Sequence, residues 1–337
     1  MKKFVLAISI LLLGCIAYVA CILSYSNTKV TNEKSFVYIP TNSNYKDLLQ
    51  ILTDSNFIKD INSFDNMAHR LNFVDVKPGR YQIKSGMGNY SLVNMFKGGK
   101  QVPVKLVINK LRTQGDIIRK ISSQLEADSA SLYQLFNDTA FLCQNEISAP
   151  QLQALIMPDT YQFYWNTEPS KILAKIIKNY KKFWTEERKA KAQKLNLSPV
   201  DIITIASIVE EETNYADDKL KIASTYLNRL HIGMPLQADP TVKFAVNDFT
   251  IKRVLTKHTQ TISPYNTYMN KGLPPGPICT PSRASIDAVL NAPKTDYLYF
   301  CADENLNGKS NFASTYAEHQ GNAKRYQAAL NARNIMR

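Results

Sequence analysis

Three consecutive glutamates, Glu210, Glu211 and Glu212, are the side chains of this sequence best placed for acid–base chemistry. They lie within residues 200–215, where apolar residues recur at helical spacing and predict one helix. Because each residue turns a helix by about 100°, the three carboxyls cannot share one environment. On a helical wheel Glu212 lies about 70° from the centre of the apolar stripe, Glu210 about 90° and Glu211 about 170°. Glu211 is therefore predicted to face water, and the substitution Glu211→Gln to be nearly silent.

The other two glutamates lie at the border of the apolar stripe, where a carboxyl can lose contact with water. Desolvation raises the pKa of a carboxyl toward the value that a general acid needs near neutral pH. The wheel favours Glu212 slightly over Glu210 for this role. The alternative is a solvated acidic helix end without catalytic function, and the pattern of this helix alone leaves that alternative open.

The loops that follow are rich in amides, hydroxyls and aromatic rings and poor in charge. They are residues 233–241, 265–268 and 272–278. Such side chains suit sugars, whose hydroxyls need fixed hydrogen-bond partners and whose ring faces pack on aromatic rings. The alternative is that the prolines and tyrosines of these loops only fix their shape.

The elements that must position these residues follow from local patterns. Ser198 as N-cap and Pro199 in the first turn predict the start of the glutamate helix. Residues 35–107 alternate between strand and helix signals and predict a small α+β module. Its strands are predicted at 36–39, 79–83 and 102–108, and its helices at 45–52, 60–71 and 91–96. Further helices are predicted within 113–145, as one Lys-rich helix at 170–196, and at 221–230.

The first 25 residues predict the compartment. Residues 4–25 follow Lys2 and Lys3 and contain no charge. This run is long enough for one transmembrane helix, which needs about 20 residues. Positive charge before the span orients the N-terminus toward the cytoplasm and the rest of the chain outside. The alternatives are a cleaved signal peptide and a lipoprotein signal ending at Cys15.

Length and charge bound the remaining possibilities. The 337 residues exceed one typical domain and predict two soluble parts. Lys and Arg number 41 against 28 Asp and Glu, a net charge of +13, which favours polyanions or an anionic membrane face as partners. Because the soluble part would lie outside the cytoplasm, nucleic acids are excluded as partners.

Metal, nucleotide and serine-nucleophile chemistry find no support. The sequence contains no H-E-x-x-H, Walker, G-x-G-x-x-G or G-x-S-x-G motif. The four histidines are far apart and are interpreted as surface or packing residues: His69, His231, His258 and His319. The cysteines outside the apolar run lack metal-ligand spacing and are predicted to be buried as small apolar residues: Cys143, Cys279 and Cys301. No metal and no cofactor is predicted.

Several segments, in their order and spacing, resemble the endolytic murein transglycosylase (YceG-like) family. They are 77–81, 157–163, 205–213, 226–230, 236–241, 265–268, 272–278 and 297–300. The resemblance covers nearly the whole chain, whereas residues 113–150 match poorly. It implies an α+β protein with a cytoplasmic tail at 1–3, a transmembrane helix at 4–25 and a linker at 26–34. A small LysM-like α+β module at 35–105 and a larger, mixed α/β catalytic domain at 106–337 follow.

The function that the resemblance implies is that of a lytic transglycosylase. Such an enzyme cuts nascent peptidoglycan strands internally between N-acetylmuramic acid and N-acetylglucosamine and leaves 1,6-anhydro ends. The family's catalytic glutamate directly precedes a threonine, and that residue here is Glu212. The residues interpreted as lining the substrate cleft are Gln237, Asp239, Tyr265, Asn266, Thr267 and Tyr268. The expected partners are glycan strands and the penicillin-binding synthases of the elongation machinery, at the periplasmic face of the cytoplasmic membrane.

Two alternatives remain at this stage. One is a muramidase that hydrolyses the same bond, with Glu212 as acid and Asp239 or Glu210 as the second carboxylate. The other is a non-catalytic, membrane-tethered wall-binding protein in which Glu212 is structural.

Overall fold

The computed structural model describes residues 10, 11, 13, 14, 25–30 and 35–333. Within these residues, no helix is both long enough and apolar enough to cross a membrane. The predicted tail at 1–3 lies outside the described residues, as does the predicted span at 4–25 apart from five scattered positions.

Two compact units make up the described chain. The first holds the described residues up to Leu106, together with Gln124–Asp128 and Gln162–Glu168. The second holds Val107–Ser123, Ser129–Tyr161 and the described residues from Pro169 onward. Both units mix helices with short strands, which confirms the α+β class.

The first unit is built on an antiparallel pair of strands covered by helices. Its elements are β1 (Phe36–Ile39), β2 (Gly79–Gln82), α1 (Tyr45–Ser55), α2 (Ile61–Arg70) and α3 (Asn89–Lys97). Val37 of β1 lies opposite Tyr81 of β2. The Tyr81 ring packs edge-on against Phe96 of α3, with ring centroids 5.0 Å apart. These elements lie within a few residues of their predicted positions.

Residues 26–30, which the sequence analysis assigns to a linker, are hydrogen-bonded to the first unit. The Asn27 amide donates to the carbonyl of Met87 at 2.9 Å, and the Lys59 amide donates to the carbonyl of Asn27 at 2.9 Å. The Asn27 side chain is buried and donates to Asn89 Oδ1 at 2.6 Å.

The second unit is mainly helical. Its helices are α4 (Gln114–Ser122), α5 (Ser129–Phe136), α6 (Thr139–Gln144), α7 (Pro169–Phe183), α8 (Glu186–Lys194), α9 (Pro199–Glu212), α10 (Ala216–His231), α11 (Asp239–Val246), α12 (Thr256–Thr259), α13 (Arg283–Leu290) and α14 (Tyr316–Ala332), with a 3₁₀ turn at Ala149–Leu155. Strand β5 (Tyr299–Ala302) pairs antiparallel with β6 (Ser310–Ala313). Strand β3 (Val104–Ile108) pairs with β4 (Asp159–Phe163).

The prediction of a single helix over 170–196 is wrong, because the chain breaks between α7 and α8. Phe183 and Trp184 turn into the core and are almost completely buried. Thr185 then adopts an extended conformation and caps α8, its hydroxyl accepting from the Arg188 amide at 3.3 Å. A threonine N-cap after two aromatic residues therefore interrupts a pattern that looks continuous.

Helix α9 is the central element of the second unit. Every residue from Ile202 to Val209 is buried, so the helix has no solvated face along this stretch. Ser198 is the N-cap and Pro199 lies in the first turn, as predicted, and Asp201 completes a capping box with Ser198. The helix ends at Glu212 because Thr213 is extended. The three glutamates therefore lie at the C-terminal end of a helix that is buried on every side from Ile202 to Val209.

The cysteine prediction holds only in part. Cys279 is buried, Cys301 is half-buried and Cys143 is exposed. Cys143 lies near the end of the short helix α6, where only Leu142 is buried.

Candidate active site

Glu212 lies in an open pocket of about 310 Å³ in the second unit. Helix α9 supplies Glu212, α10 supplies Arg229, and the loop before α11 supplies Gln237. The complete lining is Glu212, Arg229, Leu236, Gln237, Asp239, Tyr268, Tyr299, Phe300, Tyr316 and His319. The pocket therefore combines one carboxyl at a helix end with aromatic rings and amide or carboxylate groups from four other segments.

The surroundings of Glu212 suit a group that both gives and takes a proton. Burial raises the pKa of Glu212 from the ordinary 4.5 to about 7, and the nearby Asp239 carboxylate acts in the same direction. The buried Tyr226 hydroxyl donates to Glu212 Oε1 at 2.6 Å and works against this rise, as does Lys243. Near pH 7 the carboxyl is consequently poised between its two protonation states.

Asp239 contributes a second carboxylate to the same pocket. It is the first residue of α11, and the Tyr268 hydroxyl donates to its Oδ1 at 2.7 Å. Burial and this hydrogen bond to Asp239 raise the pKa of Tyr268, so the tyrosine stays neutral and remains the donor.

Arg229 holds the loop that carries Gln237. Its guanidinium is buried and donates to the carbonyls of Leu236 at 2.7 Å and Leu298 at 2.6 Å. The Gln237 backbone is in the left-handed region with φ of 51°, and its amide donates to the carbonyl of Thr267 at 3.1 Å. These bonds fix the rim of the pocket. The side-chain oxygen of Gln237 accepts only one long hydrogen bond among the described residues, from Arg229 Nη1 at 3.5 Å.

Three of the residues predicted to line the cleft are not in the Glu212 pocket. Asn266 and Thr267 are completely buried, and their polar groups bind neighbouring loops. Asn266 Nδ2 donates to two carbonyls of residues 259–261, and the Thr267 hydroxyl accepts from the Ala238 amide at 3.0 Å. Tyr265 packs on Phe244 with centroids 4.6 Å apart and lines a separate cavity. These three side chains support the loops that carry Gln237, Asp239 and Tyr268, which do line the pocket.

Glu210 is bound within a cluster of donors on another side of α9. Its Oε2 accepts from Lys219 Nζ at 2.9 Å, from the Ser282 hydroxyl at 2.6 Å and from the Ser285 hydroxyl. Burial alone would raise the pKa of Glu210, but these three donors outweigh it and lower the pKa below the ordinary value. Glu210 is therefore ionised and structural, and it does not line the Glu212 pocket.

The prediction that Glu211 faces water is wrong. Its side chain is only 14% exposed and accepts a bidentate pair of hydrogen bonds from Arg112, at 3.0 Å from Nε and 2.9 Å from Nη2. Lys110 Nζ lies 3.4 Å from Oε1. Residues 109–111 are held over this side of α9 by the Thr280 hydroxyl, which donates to the Asn109 carbonyl. A helical wheel compares only the residues of one helix, so it cannot show a contact with Arg112, 99 positions away in the sequence.

Comparison with known proteins identifies the family. The sequence profile of the YceG-like family matches residues 37–325. This chain belongs to the YceG-like family. A Bacillus subtilis relative named endolytic murein transglycosylase is 30% identical, over 88% of this chain and 85% of the relative. A Streptococcus pneumoniae protein of the same name is 28% identical, over 89% of this chain and 60% of that protein. A crystal structure of a yceG-like protein from Listeria monocytogenes is 30% identical with a TM-score of 0.59, over 86% of this chain and 98% of that one.

Sequence reasoning missed several residues of this YceG-like pocket. Arg229 lines the pocket, and Tyr226 donates to Glu212. Both lie in segment 226–230, which resembles the family, but the sequence predicts for them only a helix at 221–230. Tyr299 and Phe300 lie in another such segment, 297–300. His319 was interpreted as a surface or packing residue, yet it lines the pocket together with Tyr316. The available signal was the spacing of three between these two rings, which places them on one face of α14.

No group of three or more His, Cys, Asp or Glu side chains among the described residues could hold a metal ion.

Proposed function

We propose that this chain is an endolytic lytic transglycosylase that cuts peptidoglycan glycan strands, with Glu212 as both acid and base. The observation that carries the proposal is the pocket carboxyl itself, whose pKa is raised to about 7 and which accepts from the Tyr226 hydroxyl. Membership of the YceG-like family and relatives named endolytic murein transglycosylase support the same reaction.

The reaction uses one carboxyl twice. Protonated Glu212 gives its proton to the oxygen that links C1 of N-acetylmuramic acid to N-acetylglucosamine, and the C1–oxygen electron pair leaves with that oxygen. The Glu212 carboxylate, held by the Tyr226 hydroxyl, then removes the proton of the muramic acid O6 hydroxyl. O6 bonds to C1 and closes the 1,6-anhydro ring. Glu212 ends protonated, as it began, and no water is consumed.

Asp239 has a supporting part in this proposal. Positive charge develops at C1 as the glycosidic bond breaks, and a fixed negative group in a pocket stabilises such charge. Asp239 lies in the same pocket as Glu212, with one oxygen held by Tyr268. The presence of Asp239 in the Glu212 pocket also favours the second candidate, a hydrolase in which Asp239 directs a water or attacks C1. The products separate the two reactions.

The test is digestion of purified glycan strands by the full-length protein, followed by mass spectrometry of the ends. We expect new ends that are one water lighter than reducing ends, and no new ends with Glu212→Gln. The matched control is Glu187→Gln, an exposed glutamate of α8 that pairs only with Lys191 among the described residues. Reducing ends alone would establish the hydrolase. Undiminished cutting by Glu212→Gln would contradict the catalytic role of Glu212, and no cutting by wild type would support the wall-binding alternative.

The location of the protein is part of the proposal. Residues 4–25 would anchor the chain as a single helix in the cytoplasmic membrane, with Lys2 and Lys3 inside and the catalytic domain in the periplasm. The uncharged run, the preceding lysines and the net charge of +13 support this arrangement. Protease added to spheroplasts should digest residues 106–337, and protection of that domain would contradict the orientation.

Residues 35–105 are proposed to act as a LysM-like glycan-holding module, and penicillin-binding synthases as partners during strand elongation. The resemblance of the sequence to the family supports both. Deletion of residues 35–103, which keeps β3 whole, should weaken strand binding, measured by co-sedimentation with sacculi. It should leave the Glu212 reaction intact at high strand concentration. Unchanged co-sedimentation would contradict the role of the module.

A further inference from the structure

Three ring side chains form one wall of the Glu212 pocket. Tyr299 lies on β5, and Tyr316 and His319 lie on successive turns of α14. The His319 ring stacks on the Tyr299 ring, with centroids 5.3 Å apart and planes 22° from parallel. The Arg229 guanidinium carbon lies 5.3 Å from the same Tyr299 ring centroid. The His319 ring therefore has a defined orientation within the pocket.

Only one nitrogen of His319 is available to a ligand. Nδ1 is shut off from solvent and has no hydrogen-bond partner among the described residues. Nε2 is therefore the nitrogen through which this ring can bind a group in the pocket. Burial and the Arg229 cation lower the pKa of His319, so the ring is neutral at pH 7. A neutral imidazole offers Nε2 as either one donor or one acceptor, depending on its tautomer.

The neighbouring Tyr316 adds an apolar surface at the mouth of the pocket. It is 59% exposed, and its ring centroid lies 6.2 Å from that of His319. An exposed aromatic ring beside a neutral hydrogen-bonding group matches a sugar, which presents both an apolar ring face and hydroxyls. A hydroxyl both donates and accepts, so it satisfies either tautomer of His319.

We propose that His319 binds a sugar hydroxyl of the glycan strand through Nε2, while the ring of Tyr316 packs against the face of that sugar. The inference rests on the proposed function and names a binding residue for the same pocket. His319 is a substrate-binding residue and takes no part in proton transfer at the scissile bond. A carboxylate of the lactyl group or stem peptide is a poorer ligand for His319, because the neutral ring offers no positive charge and the Arg229 guanidinium already donates to the Leu236 and Leu298 carbonyls.

The test compares three variants of the full-length protein on glycan strands. His319→Phe keeps a flat ring against Tyr299 but has no nitrogen, and we expect KM to rise about tenfold with kcat within about twofold of wild type. His319→Gln returns an amide nitrogen close to the position of Nε2, and we expect it to recover most of this loss. His231→Phe, at an exposed histidine of α10 outside the pocket, is the matched control and should behave as wild type.

Strand binding on an inactive background separates binding from chemistry. Glu212→Gln should bind strands about tenfold more tightly than the double variant Glu212→Gln with His319→Phe. Equal affinities, an unchanged KM in His319→Phe, or a His319→Gln variant as defective as His319→Phe would each overturn the inference. So would a loss confined to kcat with a shifted pH profile, because that result would make His319 an acid or base.

These outcomes are distinguishable from failure of the proposed function. If wild type released only reducing ends, the transglycosylase assignment would fail, while the binding comparison would still report whether His319 contacts the glycan. If wild type formed anhydro ends and His319→Phe bound strands normally, only the His319 inference would fail.

Discussion

The substitution Tyr226→Phe tests how the protein sets the protonation of Glu212. The Tyr226 hydroxyl donates to Glu212 Oε1 at 2.6 Å and stabilises the carboxylate against the burial that raises its pKa to about 7. A hydrogen bond to a charged group contributes about 1.5–3 kcal/mol, and a tenfold change in an acid dissociation constant corresponds to about 1.4 kcal/mol. Removing the hydroxyl should therefore raise the pKa of Glu212 by about one to two pH units.

The assay is the pH dependence of kcat/KM on glycan strands. Free enzyme must hold a proton on Glu212 to begin the reaction, so wild-type activity should fall as pH rises through about 7. In Tyr226→Phe this alkaline fall should move to higher pH by about one unit or more.

A second tyrosine provides the control. Tyr161 is also buried, and its hydroxyl donates to the Met157 carbonyl at 2.8 Å outside the Glu212 pocket. Tyr161→Phe should lose stability but keep the wild-type pH profile. A Tyr226→Phe profile that stays in place or moves to lower pH would contradict this role of the Tyr226 hydroxyl. An equal movement in Tyr161→Phe would contradict it too.

Three further predictions concern the glutamates of α9. Glu211→Gln should lower the free energy of unfolding by about 1–2 kcal/mol in urea titrations, because the bidentate pair with Arg112 is lost. An unchanged midpoint would restore the original expectation of a silent substitution. Lys219→Met should lower the free energy of unfolding by about 3 kcal/mol in the same titrations, since it leaves the mostly buried Glu210 carboxylate without its cation. A loss below about 1 kcal/mol would show that the Ser282 and Ser285 hydroxyls alone stabilise the carboxylate. Glu212→Gln should stabilise the protein above pH 7 and not below pH 4.5, because the folded state binds the Glu212 proton more tightly and loses stability as pH rises between these values. The gain is at most about 3 kcal/mol, and thermal unfolding at pH 4 and pH 8 should differ accordingly; equal effects at both pH values would contradict the raised pKa.

Features set by near neighbours in sequence could be predicted. The apolar spacing of α9, together with Ser198 and Pro199 at its start, located the helix and its three glutamates, although Ile202–Val209 is buried on every side. The strand pair of the first unit was equally accessible, because β1 and β2 each carry a short local signal. These predictions need only helix and strand periodicity and capping chemistry.

Features set by distant neighbours could not be predicted. The partner of Glu211 is Arg112, 99 positions away, and no helical wheel contains that contact. Asn266 and Thr267 have the right side chains for binding sugars, but other loops already satisfy their polar groups. Composition gives the hydrogen-bonding capacity of a loop, whereas only the fold shows which groups remain unused. For the same reason a binding role for His319 could not be predicted, because only the fold brings α14 to the pocket.

The central claim is that O6 of the sugar attacks C1, with Glu212 as the only acid and base. The source of the oxygen at the new glycan end tests this claim most directly. Strands would be cut by the full-length protein in water enriched in oxygen-18, and the new muramic acid ends analysed by mass spectrometry. We expect anhydro ends with no oxygen-18, and no such ends from Glu212→Gln. New reducing ends that carry oxygen-18 would show that water attacks C1 and would contradict attack by O6.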